Sequence, residues 1–297
     1  MMANGPVKSK GVRELSRNPY LSDDNVATLK PSVFAYMDIL GYSEMVKRSA
    51  ATGDSQNMLR KVHSALSQGR GILEDAAIKD DLPKFVEKDT YALKAFTDNV
   101  VLGWPIRSDA ESEFGQAFSK LAYFQLQMAL NGFFVRGAIS VGDVYIDDIA
   151  VFGGALIEAY EGEGSLARDP RIVLTSSAIG PVKTHLTYYR EPEFAPQTRE
   201  LLCDADGQWF LNYLEETLIA EYEIGPDYDS IFSHKTMVEN RLAEYSSSPS
   251  IFAKYAWVAG YHNSFCDLHS QYFEQKHKID LQLFRAVPKL ITEHWAR

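Results

Sequence analysis

Two aspartates stand alone in strongly apolar stretches of this sequence. Asp38 lies in "FAYMDILGYSEMV", shortly before Gly41, and Asp98 lies in "LKAFTDNVVLGW". A carboxylate is costly in apolar surroundings unless a cation or a hydrogen-bond donor faces it. Two such carboxylates can hold two divalent ions, which activate an attacking oxygen and stabilise a leaving one in phosphoryl transfer. The pair therefore favours a metal-dependent reaction at phosphorus.

Gly41 strengthens this interpretation, because it separates the apolar strand from a helical pattern. Backbone N–H groups at the start of that helix could bind the phosphates of a nucleotide without a dense positive patch. Each acid also has a simpler explanation. Asp98 and Asn99 both suit a two-residue hairpin turn, and Asp38 could cap the helix that follows it. The placement of both acids in neighbouring strands favours the metal site over these alternatives.

The surrounding pattern predicts the elements that position the two acids. "SVFAYMDIL" predicts a buried strand, with Phe34 and Tyr36 on the same face as Asp38. "YSEMVKRSA" and "DSQNMLRKVHSALSQGRGIL" have helical spacing, and the acidic segment "EDAAIKDDLPKFVEKDT" predicts a surface loop. "ALKAFTDNVVLGW" predicts a hairpin that turns at Asp98-Asn99.

Further along, the capping box Ser108-x-x-Glu111 predicts the start of a long helix that ends at "NG". "FFVRGAISVGDVYIDD" predicts two strands around its central "GD", and "VFGGALIEAYEGEG" and "PRIVLTSS" predict a short helix and a strand. "LLCDADGQWFLNYL" predicts a hairpin that turns at "DG". The rest of the chain is helical, and its longest helix is expected to begin near Ile251.

The predicted order of elements is β-α-β-β-α-β, followed by a short helix and a strand. This order favours an α+β fold of the ferredoxin-like split βαβ type, with an antiparallel sheet and helices on one face. Its first strand would lie beside the strand that leads into the Asp98 hairpin, so that both acids converge. We divide the chain into a lead-in at 1–30, a catalytic domain at 31–215 and a C-terminal helical extension at 216–297.

Composition argues against several classes of protein. The chain has 297 residues, a net charge of −10 and no dense block of Lys and Arg, which argues against a DNA-binding surface. Two cysteines, Cys203 and Cys266, allow at most one disulfide, so a reducing cytoplasm is the simplest expectation. We find neither a signal-peptide pattern nor an apolar run of about 18 residues, and therefore expect no membrane span.

The order and spacing of the motifs resemble the class III nucleotidyl cyclases. The resemblance extends from about Val33 to Ser177, roughly half of the chain. "FAYMDILGYS" is similar to the first metal motif of that family and "LKAFTDNVV" to the second. The strand pair, helix and strand that follow in the family resemble "VRGAISVGDVYID" and "VFGGALIEAYEGE…RDPRIVLTSS".

The resemblance implies a metal site and an oligomeric state. Asp38 and Asp98 match the two catalytic, metal-binding acids, and the carbonyl of Ile39 matches a backbone metal ligand. Two divalent ions, Mn²⁺ or Mg²⁺, are the implied cofactors. The family also implies a homodimer whose active sites lie at the subunit interface, where the partner chain helps to read the base.

Other positions are candidates for binding the substrate. Tyr42 and Ser43 match the turn that cradles the phosphates, together with the preceding glycine, and Lys94 matches the lysine that reads the purine in adenylyl cyclases. Arg136 is a candidate for stabilising charge, although a strand arginine can equally serve the structure. Tyr36 and Phe34, on the face of the first metal acid, could narrow the pocket or stack on a small base; core packing is the alternative for both.

Three positions depart from the adenylyl cyclase pattern. The base-reading Asp aligns with Ala150, the transition-state Asn with Ile157, and the Arg one turn later with Glu161. The adenine code is therefore absent, and the group that stabilises developing charge must come from elsewhere or from the metals. The chain is either an inactive relative or an enzyme for another base, and the presence of both metal acids favours the enzyme.

The remaining pattern is similar to the pyrimidine nucleotide cyclases of the bacterial Pycsar antiphage system. That resemblance implies conversion of UTP to 3′,5′-cyclic UMP and pyrophosphate, with a separate effector protein activated by the product. The alternatives, in order, are a cytidylate cyclase acting on CTP, a purine cyclase of the same superfamily, and a catalytically inactive sensor with the cyclase fold.

Two further groupings favour structure over chemistry. His262, Cys266 and His269 share a helical face, but three ligands on a single helix make a weak metal site, so packing is the expected role. The acids of "IEAYEGEG" alternate with small residues, which predicts a solvated helix edge or a dimer contact.

Overall fold

The computed structural model describes residues 18–75, 91–96, 98–218 and 225–284. The strands are β1 (Lys30–Ile39), β2 (Ala92–Phe96), β3 (Asn99–Pro105), β4 (Val135–Ile146), β5 (Val151–Gly153), β6 (Ile172–Leu174), β7 (Leu201–Cys203) and β8 (Trp209–Leu211). The helices are α1 (Tyr42–Ala51), α2 (Ser55–Asp75), α3 (Glu111–Leu130), α4 (Gly154–Ser165), α5 (Ser176–Leu186), α6 (Gln197–Glu200), α7 (Tyr228–Glu244) and α8 (Pro249–Leu268). Within the described ranges, the helices lack the length and apolar character that crossing a bilayer requires.

The strands form one sheet in the order β2-β3-β1-β4-β6-β8-β7, and β5 pairs with β4. Strand β1 is central, because it pairs antiparallel with β3 on one side and with β4 on the other. An antiparallel sheet was expected; the sheet is mostly antiparallel but mixed, because the pair β4–β6 is parallel. The chain crosses over through α4 between these two strands, and a crossover returns a strand in the same direction. The α+β class is confirmed.

Helices cover both faces of the sheet, whereas one covered face was expected. Val33 and Ala35 of β1 belong to the core cluster that contains residues of α3. Phe34 and Tyr36 point to the opposite face, in the cluster that contains Ala155 of α4. Neighbouring residues of a strand point to opposite faces, and β1 is apolar on both, so both faces must be covered.

The long helix α3 begins differently from the prediction. Its N-cap is Ala110, which has a φ of 75°, and Ser108 is therefore not the cap of a capping box. The backbone N–H of Glu111 instead donates to Asp109 Oδ1 at 3.3 Å. The predicted end at "NG" is confirmed, since Gly132 follows the helix with a φ of 82°, in the left-handed region that glycine favours.

The segment predicted as two strands around Gly142-Asp143 is one strand, β4, of 12 residues. The chain turns later, where Asp147 Oδ1 accepts hydrogen bonds from the amides of Ile149 and Ala150 at 2.8 and 2.6 Å. An aspartate that binds the backbone two and three residues ahead forms an Asx turn, and this was the overlooked signal. The Gly-Asp pair alone does not end a strand that continues to pair with β1 at both of these residues.

Two predicted segments lie partly outside the described residues. The lead-in is described from residue 18 onward, and there Tyr20 is fully buried and its hydroxyl donates to Ser32 Oγ at 2.9 Å. The start of the lead-in, at 1–17, lies outside the described residues. The predicted surface loop begins with the last two residues of α2, and its remainder, at 76–90, lies outside them as well.

The C-terminal part packs on the sheet of the same chain. Strands β7 and β8 form the predicted hairpin, with Gly207 at a φ of 82° in the turn, and β8 pairs with β6. Helices α7 and α8 share a core cluster with α3 and β8, which includes Leu126, Phe210, Val238 and Phe265. The extension is therefore continuous with the fold, and the boundary at 215/216 stays a prediction.

A chain of hydrogen bonds runs through the interior between α7 and α8. The Tyr213 hydroxyl donates to His234 Nε2 at 2.8 Å, and the Nδ1 atoms of His234 and His262 lie 3.0 Å apart. His262 Nε2 donates to the carbonyl oxygen of His277 at 2.9 Å, which fixes its proton there and makes His262 Nδ1 the acceptor. Burial lowers the pKa of His262 to about 4. Both nitrogens of the His262 ring are therefore hydrogen-bonded within the protein, which agrees with the expected packing role.

Candidate functional site

Asp38 lies near the end of the central strand, between residues of both neighbouring strands. It is paired in register with Asn99 of β3 and with Arg136 of β4. Residues paired across neighbouring strands point to the same face of a sheet, which is here the face covered by α4. Strand β1 pairs with β3, which leaves the hairpin, and not with β2, which enters it. The expected pairing is therefore corrected, and Asn99, not Asp98, is directly opposite Asp38.

Arg136 connects two carboxylates at this end of the sheet. Its Nε and Nη2 donate to Asp38 Oδ1 and Oδ2 at 3.0 and 3.2 Å, which is a bidentate pair. Its Nε also lies 2.6 Å from Glu163 Oε1 of α4. The two groups form an ion pair, but the N–H bond does not point at that oxygen, so the contact is not a hydrogen bond. Bidentate pairs of this kind fix the orientation of a carboxylate as well as its charge. Arg136 therefore holds Asp38 in place.

Glu163 was expected at a solvated helix edge or a dimer contact, and that interpretation is wrong. The residue is 5% exposed and faces Arg136. Burial and the charge of Asp38 raise its pKa, while the charges of Arg136 and Lys254 oppose that shift. Gly162, beside it, allows α4 to approach the sheet closely, because a Cβ there would lie 3.0 Å from the Cβ of Ala138. The close approach brings Glu163 to the cluster.

The hairpin contributes Asp98, the second of the two predicted acids, and the side-chain amide of Asn99. Asn99 is the first residue of β3 and pairs with Phe96, so it is not a turn residue as expected. Its side chain donates from Nδ2 to Asp98 Oδ1 at 3.2 Å. Its Oδ1 accepts a hydrogen bond from the hydroxyl of Tyr36. Asn99 therefore connects the hairpin acid to the central strand.

Tyr36 occupies the centre of this face, one pleat before Asp38. Burial, and then the charges of Asp38, Glu163 and others nearby, raise its pKa to about 12. The phenol therefore stays protonated at neutral pH and remains a hydrogen-bond donor. Its ring meets the ring of Tyr160 edge to face, with centroids 5.5 Å apart. By contrast, Phe34 is fully buried, which confirms core packing for that residue.

The predicted phosphate cradle lies at the start of α1. Ile39 is the last residue of β1, and Gly41, exposed and with a φ of 72°, is the N-cap of α1. Tyr42 packs partly against the core, and Ser43 is exposed. The first N–H groups of a helix have no partner within the helix and are free to bind an anion. Helix α1, which carries these N–H groups, begins at Tyr42, shortly after Asp38 in the chain.

Lys94 lies on the same face but further across the sheet. It is paired with Val101, which is paired with Tyr36, so the three form one row. A hydrogen bond from the Tyr145 hydroxyl and, more weakly, the charge of Lys94 lower the pKa of Asp147 in the β4–β5 turn. The Lys94 ammonium is therefore near enough to act on the acid of that turn.

The donor set suits a divalent ion that is shared with a phosphate. The described residues contain no cluster of three or more His, Cys, Asp or Glu side chains placed to hold a metal ion. Asp38 and Asp98 nevertheless offer carboxylate oxygens, which are the ligands that Mg²⁺ and Mn²⁺ prefer. Mg²⁺ commonly binds one or two carboxylates together with substrate phosphates. Two acids beside free helix amides fit that kind of site.

An exposed apolar surface lies next to the cluster, on the β4–β5 hairpin and α4. It consists of Ile149, Phe152, Ile157 and Tyr160, which are 88%, 65%, 56% and 57% exposed. We call these four residues the apolar patch. Its Tyr160 contacts Tyr36, so the patch reaches the site. The sequence carried a signal for it, since apolar residues at 157 and 160 lie one turn apart on a helix.

Taken together, three carboxylates, a guanidinium, a phenol and an amide lie around the end of β1, with helix amides beside them. Such a group can bind cations and orient a phosphorylated ligand at an edge of the sheet. Sequence reasoning missed Glu163, Asn99 and the apolar patch. No protein-family model and no curated protein matches this chain.

Proposed function

We propose that the protein is a metal-dependent pyrimidine nucleotide cyclase, which converts UTP to 3′,5′-cyclic UMP and pyrophosphate. The observation that carries the proposal is the placement of Asp38 beside the start of β3, where Asp98 precedes Asn99. The strand order β2-β3-β1-β4 supports the proposed ferredoxin-like split βαβ core, with β3 between β2 and β1. The motif resemblance adds the reaction class and the role in antiphage signalling.

In the proposed reaction, the 3′-oxygen attacks the α-phosphorus in line and loses its proton to solvent. The new bond joins the 3′-oxygen to the α-phosphorus, and the bond to the β-phosphate oxygen breaks, releasing pyrophosphate. Asp38, Asp98 and the Ile39 carbonyl would hold two divalent ions, which supply charge neutralisation at the phosphates. Arg136 orients the Asp38 carboxylate through its two hydrogen bonds. The amides at the start of α1 bind phosphate oxygens.

A pyrimidine is favoured over a purine because polar base-reading groups are absent from the aligned positions. Ala150, at the position of the base-reading Asp of adenylyl cyclases, is apolar and exposed and cannot hydrogen-bond to a base through its side chain. We propose that the ring of Tyr36, edge to face with that of Tyr160, borders the site of a small base beside Asp38. UTP is our first choice and CTP the second, and a purine substrate or an inactive sensor are the remaining alternatives.

The apolar patch supports the proposed homodimer. A second copy of the chain is the occupant that we propose, because the patch reaches Tyr36 and the family places its active sites between subunits. Purified protein is expected to behave as a dimer in light scattering, and Phe152→Asp is expected to yield a monomer with less than about a tenth of the activity. A wild-type monomer that is fully active would contradict the dimer.

We also propose that the enzyme works in the cytoplasm. Its cysteines, exposed Cys203 and buried Cys266, are both free thiols, which suits a reducing compartment. Its proposed substrates are nucleoside triphosphates. The cyclic product, not a stable protein contact, would carry the signal to an effector.

The proposal is tested by supplying each of the four ribonucleoside triphosphates with Mn²⁺ or Mg²⁺. We expect cyclic UMP and pyrophosphate in equal amounts from UTP, detected by liquid chromatography and mass spectrometry. Product from CTP alone selects the second candidate, and product from ATP or GTP alone selects a purine cyclase. No product from any nucleotide, with or without phage lysate, would leave the inactive sensor.

A further inference from the structure

Helix α8 lies on the same face of the sheet as Tyr36. Phe210 of β8 is paired with Val173, which is paired with Ala138, which is paired with Tyr36, so the four form one row across the sheet. The ring of Trp257, on α8, meets the ring of Phe210 at 5.4 Å. The C-terminal helix therefore covers the sheet on the side of the candidate site.

Two anchors set the position of the first half of α8. The ring of Tyr255 contacts that of Phe134 at 5.3 Å, two residues before Arg136. Two residues later, Trp257 lies 5.4 Å from the guanidinium of Arg171, which precedes β6. Lys254 immediately precedes Tyr255, the first anchor. It therefore lies near the start of β4, where Arg136 pairs with Asp38 and Glu163.

The ammonium of Lys254 has unused hydrogen-bonding capacity. It is partly buried, and among the described residues it has neither an ion pair within 4 Å nor a hydrogen bond. Of the three acids whose charges act on it, Asp169, Asp38 and Glu163, the last two are already paired with Arg136. Burial and the charge of Arg136 lower the pKa of Lys254, while Asp169, Asp38 and Glu163 oppose that shift. A partly buried cation whose donors are not taken up by the protein can bind an anion from solution.

We propose that Lys254 binds the phosphate chain of the nucleotide and stabilises the negative charge of the leaving pyrophosphate. The inference rests on the proposed function. Ile157 and Glu161 occupy the sequence positions of the charge-stabilising residues of the related cyclases. Lys254 would supply the cation that those positions lack. A compact ammonium on a flexible stem suits a phosphate oxygen. The C-terminal helices thereby acquire a role in the reaction besides packing.

The test compares Lys254→Gln with Lys254→Arg and with Lys61→Gln, which removes the same charge from an exposed position on α2. Calorimetric titration with Mg²⁺-pyrophosphate gives the affinity for the leaving group, and steady-state rates with UTP give kcat and KM. We expect Lys254→Gln to weaken pyrophosphate binding and to lower kcat/KM about ten- to hundredfold, as loss of a charged hydrogen bond would. Lys254→Arg should recover most of both, and Lys61→Gln should change neither.

The inference is overturned if Lys254→Gln binds pyrophosphate within about twofold of the wild type, or if the wild type does not bind it. It is also overturned if the Gln and Arg variants lose binding equally while their urea midpoints fall together, because that result indicates packing. A wild type that binds pyrophosphate through Lys254 but cyclises no nucleotide contradicts the proposed function alone. The two failures are therefore distinguishable.

Discussion

Asp38→Asn and Asp98→Asn are each expected to lower the rate of cyclic nucleotide formation about 1000-fold. An amide cannot replace a carboxylate as a ligand that neutralises a divalent ion. In Asp38→Asn, Arg136 keeps Glu163 as its partner, so the cation is not left unpaired and the fold should persist. Initial rates at saturating UTP and Mn²⁺ measure the loss.

Asp229→Asn is the matched control, because Asp229 is an exposed acid in the first turn of α7, outside the site. We expect this variant to retain the wild-type rate. Circular dichroism melts of all three variants show whether each is folded. If a folded Asp38→Asn variant keeps more than about a tenth of the wild-type rate, Asp38 is not a metal-binding catalytic acid.

Arg171→Met is expected to lower the free energy of unfolding by about 3 kcal/mol or more. The Arg171 side chain is fully buried, and its guanidinium pairs with Asp204 and Asp206 in the β7–β8 turn. It also donates to the carbonyl oxygen of Leu166 at 3.2 Å. Methionine fills a similar volume but leaves Asp204 without its cation and Asp206 with only the exposed Arg168. Urea unfolding at neutral pH, followed by circular dichroism, measures the change.

Arg168→Met provides the control for this prediction. Its guanidinium lies 3.6 Å from the same Asp206, but its side chain is 69% exposed. An exposed ion pair contributes less than about 1 kcal/mol, so this variant should unfold close to the wild type. Equal losses in the two variants would show that burial of Arg171 adds nothing, contrary to our expectation.

Local signals predicted most elements of the fold. The apolar run of β1, the helical spacing of α2 and the glycine after α3 all correspond to observed elements. The errors arose where a distant contact decides the outcome. The Gly142-Asp143 pair stays inside β4 because β1 pairs with it along its length. The second covered face of the sheet depends on α4, whose position no local pattern specifies.

The candidate site could likewise be predicted only where a local signal exists, and not where a distant contact places the residue. Asp38 was recognisable because it is a charge within an apolar strand, and Asp98 because it lies in a hairpin. Glu163 was missed, since its alternation with small residues resembles a solvated edge until α4 is placed on the sheet. Lys254 is 118 residues beyond Arg136 in the sequence, from position 136 to position 254, so only tertiary structure relates them.

The buried Arg171 has a consequence for the order in which the chain folds during synthesis. Its acidic partners follow it by 33 and 35 residues, and Trp257 follows Asp204 by a further 53. A nascent chain that ends before β7 therefore presents β6 as an open sheet edge with an unpaired guanidinium beside it. Arrival of the β7–β8 hairpin covers the edge and neutralises the charge in one step. The part of the sheet from β1 to β6 is therefore completed only by residues translated after it.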